Sequence, residues 1–246
     1  MIKLENLTKH FGNLAAVDHI NLEVPAGEFL AFIGPNGAGK TTTIKLMTGL
    51  LRPTDGRALV GGYDVQTDYI AAKSVMSYVP DQPYLYDKLS GREFLRFVAR
   101  MYGMPRKETD GKIAQFSETF ALGSFLDELG ETYSHGMKQR VVISAALLHD
   151  PKVLVVDEPL VGLDPKGANT LKRVFKERAA RGDTIFMSTH TLSVAEEVAD
   201  RVAIIHKGHI IALGAPDEIL RAAKTDGRLE EAFLRLTEES SPGDAP

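Results

Sequence analysis

The sequence predicts an α/β fold: a phosphate-loop core of parallel strands, an antiparallel β region at the N-terminal end, and an inserted helical block. Three observations carry that expectation. Residues 28–51 read as strand, glycine-rich loop and helix, with the loop spelled Gly34-Pro35-Asn36-Gly37-Ala38-Gly39-Lys40-Thr41. Val153-Leu154-Val155-Val156 is an unbroken apolar run, as a parallel strand buried on both faces requires. Residues 84–150 repeat apolar side chains at helical spacing, whereas both flanks alternate strands with helices.

Taken in order, residues 1–7 and 17–24 alternate as strands around a turn at Phe11-Gly12-Asn13. Pro25-Ala26-Gly27 turns the chain into the strand before the loop. After it, Ile44, Met47 and Leu50/Leu51 mark the helix. Pro53-Thr54-Asp55-Gly56 is a turn, 57–60 a short strand, 68–73 a short helix or turn, and 75–79 a strand stopped by Pro80. In the helical block, Ser90 with Glu93 three residues on predicts a capped helix start. Phe94, Phe97, Val98 and Met101 continue that helix, Ile113, Phe116, Phe120 and Leu122 mark a second, and 141–148 a third. The last third returns to strands at 153–156, 184–188, 202–205 and 210–213, with helices at 171–180, 192–200 and 216–236. The polar stretch 237–246, with its Pro and Gly, reads as a disordered tail.

The loop carries chemistry for a physical reason. Glycines let the backbone turn with positive φ and approach an anion closely. The N–H groups from Gly34, Pro35's neighbours Asn36 and Gly37, Ala38, Gly39, Thr41 and Thr42 then gather at the positive end of a helix. Lys40 can reach the outer phosphates, and Thr41 offers a hydroxyl to Mg²⁺. A second site follows from Asp157-Glu158. Two acids ending a buried apolar strand are costly unless they meet positive charge, which Mg²⁺ on a nucleotide supplies. Asp157 is expected in the metal shell and Glu158 as the base that polarises the attacking water.

Composition narrows the class. The 246 residues are 43% hydrophobic and 25% charged, with a net charge of −4, which is no signature of a nucleic-acid binder. There is no cysteine, so disulfides and thiolate metal sites are excluded. The N-terminal stretch has no apolar signal core, and no run approaches the roughly 18 residues that span a bilayer. A membrane role is therefore expected to need a separate partner chain.

With these motifs in hand, the chain resembles the ATP-binding subunit of ABC (ATP-binding cassette) transporters over nearly its whole length. Gly34 to Thr41 matches the Walker A loop, Asp157 and Glu158 the end of Walker B and its glutamate, Gly162-Leu163-Asp164-Pro165 the D-loop, and Ser188-Thr189-His190 the switch-histidine segment. The resemblance implies a RecA-like core (1–84 and 151–215), a helical signature subdomain (about 85–150) and C-terminal helices (216–236), all in one ATPase domain, 1–236. It implies ATP and Mg²⁺ as cofactors, Phe11 stacked on adenine rather than serving as a plain turn anchor, and His190 at the γ-phosphate. It also implies a shared site, in which Ser134 and Gly136 of a second cassette meet the nucleotide of the first in a head-to-tail dimer, and it implies Asp164 of the D-loop as a further nucleotide-binding residue. A multi-span permease would bring the cassette to the inner face of the cell membrane, and no nucleic-acid partner is expected.

Two motifs depart from the family pattern. The signature loop, usually Leu-Ser-Gly-Gly-Gln, is Tyr133-Ser134-His135-Gly136-Met137, and His135 in place of glycine is expected to demand an awkward backbone angle. At the Q-loop glutamine stands Asp81, with Gln82 one residue later, so either serves as the metal or water ligand. The ending 229–237 and Met137 resemble exporter-type cassettes. The alternatives are a soluble cassette ATPase of translation or DNA repair, against which stand a single motif set and no sustained heptads, and a phosphate-loop kinase, which leaves the signature and D-loop without a role.

Overall fold

The apolar runs align into one six-stranded sheet that divides the molecule. The computed structural model describes residues 1–225 and 227–239. The strands are β1 (Ile2–Phe11), β2 (Leu14–Val24), β3 (Phe29–Ile33), β4 (Asp55–Val60), β5 (Tyr63–Asp64), β6 (Met76–Val79), β7 (Val153–Asp157), β8 (Thr184–Thr189), β9 (Arg201–His206) and β10 (His209–Gly214). The helices are α1 (Lys40–Met47), α2 (Tyr69–Val75), α3 (Gly91–Met101), α4 (Arg106–Thr119), α5 (His135–Leu147), α6 (Pro165–Ala180), α7 (Leu192–Val198), α8 (Pro216–Ala222) and α9 (Leu229–Glu239). The large sheet runs β10-β9-β3-β8-β7-β6, parallel from β9 to β6, with β10 added antiparallel through the hairpin at Lys207-Gly208. The small sheet, β2-β1-β4-β5, is antiparallel throughout.

The period of two along a strand explains the layering. Every residue of β3, β7 and β8 is buried. Along β7, Val153 and Val155 pack toward the small sheet and α1, while Leu154 and Val156 pack toward α5, α6 and the helical subdomain. Phe32 and Phe186 meet on the first side at 5.1 Å, and Phe29 and Phe175 on the second at 6.2 Å. This sandwiching holds the C-terminal ends of β3, β7 and β8 side by side, where the loops carrying the motifs emerge.

The expected helix start at Ser90 is present as a full capping box: Glu93 N–H donates to Ser90 Oγ, and Ser90 N–H donates to Glu93 Oε2 at 2.8 Å. Tyr133 joins the subdomain's helices, its hydroxyl accepting from Gly91 N–H at 3.0 Å and donating to Phe125 O at 2.8 Å. Two expectations need correction. Helix α4 stops at Thr119, so Phe120 and Leu122 pack from the turn that follows rather than from the helix. The tail expected from 237 does not begin there, because α9 continues to Glu239, with Thr237 Oγ1 donating to Phe233 O at 2.8 Å. The rest of that tail, 240–246, lies outside the described residues.

Candidate functional site

The phosphate loop leaves β3 and enters α1 through backbone that only glycine fits. A Cβ on Gly34 would stand 2.4 Å from Ile205 O, and one on Gly39 2.4 Å from Ala16 O. Gly39 also has φ +111° and forms the N-cap of α1 without a side chain to take up the helix's first N–H groups. No acidic residue sits in the first turn, so the positive end of α1 is left for an external anion. The Lys40 ammonium donates to Gly34 O at 2.5 Å and Pro35 O at 3.1 Å, and burial lowers its pKa against the charges of Glu158 and Asp157.

Opposite the loop stand the acids from the end of β7. Asp157 is buried and accepts from Thr41 Oγ1 at 3.4 Å and from Ser188 Oγ. Burial raises its pKa, Ser188 lowers it, the charge of Asp81 raises it, and Thr41 and Lys40 lower it. Glu158 follows in the left-handed region, φ 47°, with its N–H donating to Ser188 O at 3.1 Å. That conformation turns its side chain out of the strand toward His190, whose Nδ1 lies 2.8 Å from Glu158 Oε1.

These groups line one cleft of about 490 Å³, bounded by Pro35, Asn36, Gly37, Gly39, Lys40, Thr41 and Thr42 on one side and Asp157, Glu158 and His190 on the other. Phe11 closes it at the end of β1, half exposed and with Lys9 Nζ 5.3 Å from its ring centre. Asp81 lines the cleft and Gln82 does not; the Gln82 N–H instead donates to Asp81 Oδ1 at 2.8 Å. Leu14 and Ala16 also line it, a pair that sequence reasoning missed although they open β2 directly after the turn that follows Phe11. It likewise missed Ser188 as the hydroxyl that clamps Asp157.

Thr41, Asp157 and Asp81 are hard oxygen donors of the kind Mg²⁺ prefers. Among the described residues no group of three or more His, Cys, Asp or Glu could hold a metal by itself.

Ser134, Gly136 and Asp164 stand elsewhere. Ser134 caps α5 and accepts from Met137 N–H at 3.3 Å; Asp164 caps α6 and accepts from Gly167 N–H at 2.9 Å. None of the three lines the cleft. The strain expected at His135 is absent. His135 is the first residue of α5 and is not among the residues with positive φ. A helix start accepts any side chain there, and the ring lies beside Gly162 of the same chain.

Comparison with known proteins gives the family. Residues 17–161 match the ABC transporter family model. The chain is 36% identical over 96% of its length to "Probable multidrug ABC transporter ATP-binding protein YbhF" of Escherichia coli, spanning 41% of that longer protein. It is 36% identical over 95% of its length to "Linearmycin resistance ATP-binding protein LnrL" of Bacillus subtilis, of which it covers 78%. Among solved structures, an ATP-binding subunit of an ABC transporter superposes with TM-score 0.91 at 33% identity, covering 96% of this chain and 99% of that one. The dimeric cassette MJ0796 superposes with TM-score 0.80 at 25% identity, covering 87% of this chain and 98% of that one. No helix among the described residues is long and apolar enough to cross a membrane. Cleft, sequence and fold thus converge: the chain belongs to the ABC transporter family, as one of its ATP-binding cassettes.

Proposed function

We propose that the chain hydrolyses ATP as one half of a cassette dimer and so drives a separate membrane permease in export. The observation that carries this reading is the facing of Glu158 and His190 against Lys40 across a single cleft. The backbone of Gly37 and Gly39 and the Lys40 ammonium hold the phosphates. Mg²⁺, when bound with the nucleotide, neutralises charge on the β- and γ-oxygens; Thr41 and Asp157 would hold it, with Asp81 rather than Gln82 as the further ligand from the Q-loop position. Glu158 takes a proton from the attacking water as the new bond to the γ-phosphorus forms and the bond to the β–γ bridging oxygen breaks. His190 orients the Glu158 carboxylate and stands ready for the γ-phosphate. Phe11 stacks on the base, with Leu14 and Ala16 beside it.

Ser134, Gly136 and Asp164 have polar groups at helix starts and do not line their own cleft, which supports their use on a partner's nucleotide. A dimeric cassette among the structural neighbours supports the same arrangement. Relatives named for drug and antibiotic resistance support export. Localisation at the inner face of the membrane would then follow from the permease partner.

Glu158→Gln tests the core of the reading. Turnover is expected to fall at least a hundredfold, the scale of a general base, while ATP binding persists and ATP produces a stable dimer in sedimentation. Hydrolysis at the parental rate would remove Glu158 from its role.

A further inference from the structure

The first turn of α5 leans on the segment that follows Glu158. A Cβ built on Gly162 would lie 2.3 Å from His135 Cδ2, 3.2 Å from Cγ and 3.3 Å from Nε2. The imidazole therefore fills the space that a side chain at 162 would take. A Cβ on Gly136 would lie 2.4 Å from Gly162 O, so the two backbones touch there as well. One helical turn further on, Gln139 is fully buried and donates from Nε2 to Pro159 O at 3.0 Å. Signature turn and post-Walker B segment thus meet at three points.

The segment itself is short and tightly turned. Val161 N–H donates to Glu158 O at 3.3 Å, and Leu163 N–H to Leu160 O at 3.2 Å. Glu158 stands at one end and Asp164, the cap of α6, at the other. Close-packed contacts of this kind transmit a displacement rather than absorb it. We propose that the first turn of α5 and residues 159–162 form one unit, seated by His135 on Gly162, which holds Ser134 and Gly136 in place to engage the nucleotide on a second copy of this chain. His135 is then a positioning residue for the pairing of two cassettes. The inference rests on the shared-site reading above.

A double-mutant cycle tests it. In the Glu158→Gln parent, ATP-driven dimerisation is measured by sedimentation and nucleotide affinity by titration with a fluorescent ATP analogue. Gly162→Ala is made with His135 present and with His135→Ala. The left-handed backbone at Gly162, φ +78°, penalises alanine in both settings, so the cycle isolates the ring contact. With His135 present, Gly162→Ala is expected to weaken dimerisation about tenfold, and with His135→Ala at least threefold less than that, while affinity for the analogue stays within about twofold throughout. Gln139→Met, which keeps the buried volume but loses the Pro159 bond, should weaken dimerisation about threefold without loss of analogue affinity.

Equal losses in the two His135 settings, or losses of analogue affinity in the same proportion, would overturn the proposal. A parent that binds ATP without dimerising would instead overturn the shared-site reading. In that case the same cycle read in the thermal unfolding midpoint of the monomer still decides whether His135 and Gly162 are coupled. Additive shifts would sink the contact.

Discussion

The two halves of the proposed nucleotide site are built differently. The phosphate half springs from strands buried at every residue, and its groups interlock: Ser188 and Thr41 on Asp157, His190 on Glu158, Lys40 on the loop carbonyls. The signature half stands on a helical subdomain, capped by Ser134, and faces the Pro159–Gly162 segment rather than the cleft. The first is a receptor assembled within one chain. The second is equally well formed and does not line the phosphate cleft. On the proposed reading the difference makes nucleotide binding and pairing of cassettes separable properties, and variants should split them.

Lys40→Met is the strongest way to break the comparison on the receptor side. Losing a charge-assisted contact to phosphate should lower nucleotide affinity about a hundredfold, roughly 3 kcal/mol, and pairing should fall with it. Titration with a fluorescent nucleotide reads this; unchanged affinity would mean that the ammonium does not reach the phosphates. On the other side, Ser134→Ala should leave monomer affinity unchanged yet weaken ATP-driven pairing about tenfold, including a cap loss of about 1 kcal/mol. Sedimentation of the Glu158→Gln form reads it, and a fall in monomer affinity would blur the division.

The smallest effect concerns the joint between the halves. Tyr102, at the end of α3, stacks on His149, beyond the end of α5, with ring centres 3.6 Å apart. Burial lowers the His149 pKa from 6.5 to about 4, against a smaller raising contact from the Met76 backbone. The unfolded chain therefore takes up a proton that the folded chain refuses. Stability is complete above pH 6.5 and falls as pH drops from there toward 4, by about 1 kcal/mol once partial exposure of the ring is allowed for. His149→Phe keeps the stack and should flatten that slope in urea titrations at pH 7 and pH 4.5. The same slope in both proteins would assign it to other groups.

Much of the receptor half was legible in sequence because it is local. Gly34 to Thr41 binds through its own backbone, and Asp157-Glu158 ends a strand whose apolar run announces burial. Capping at Ser90 was legible for the same reason. What escaped depends on distance in sequence. Ser188 meets Asp157 only because β7 and β8 are parallel neighbours in register. Whether Asp81 or Gln82 reaches the cleft depends on one residue of loop register, which no periodicity fixes. His135 looked like a strained replacement for glycine because the helix was expected only from 141; as the first residue of α5 it holds ordinary backbone, and its neighbour Gly162, 27 positions away, is visible only in three dimensions. The extent of α9 was hidden by its polar ending, where Thr237 bonds back to the helix.

Glu158 holds a backbone conformation that glycine or asparagine would adopt at less cost, by about 1 kcal/mol or more. With Glu158 as the proposed base, heat resistance and turnover pull this one position in opposite directions. A variant chosen for robustness alone would gain at residue 158 by discarding its carboxylate, and would emerge as a sturdier protein that holds ATP and cannot spend it.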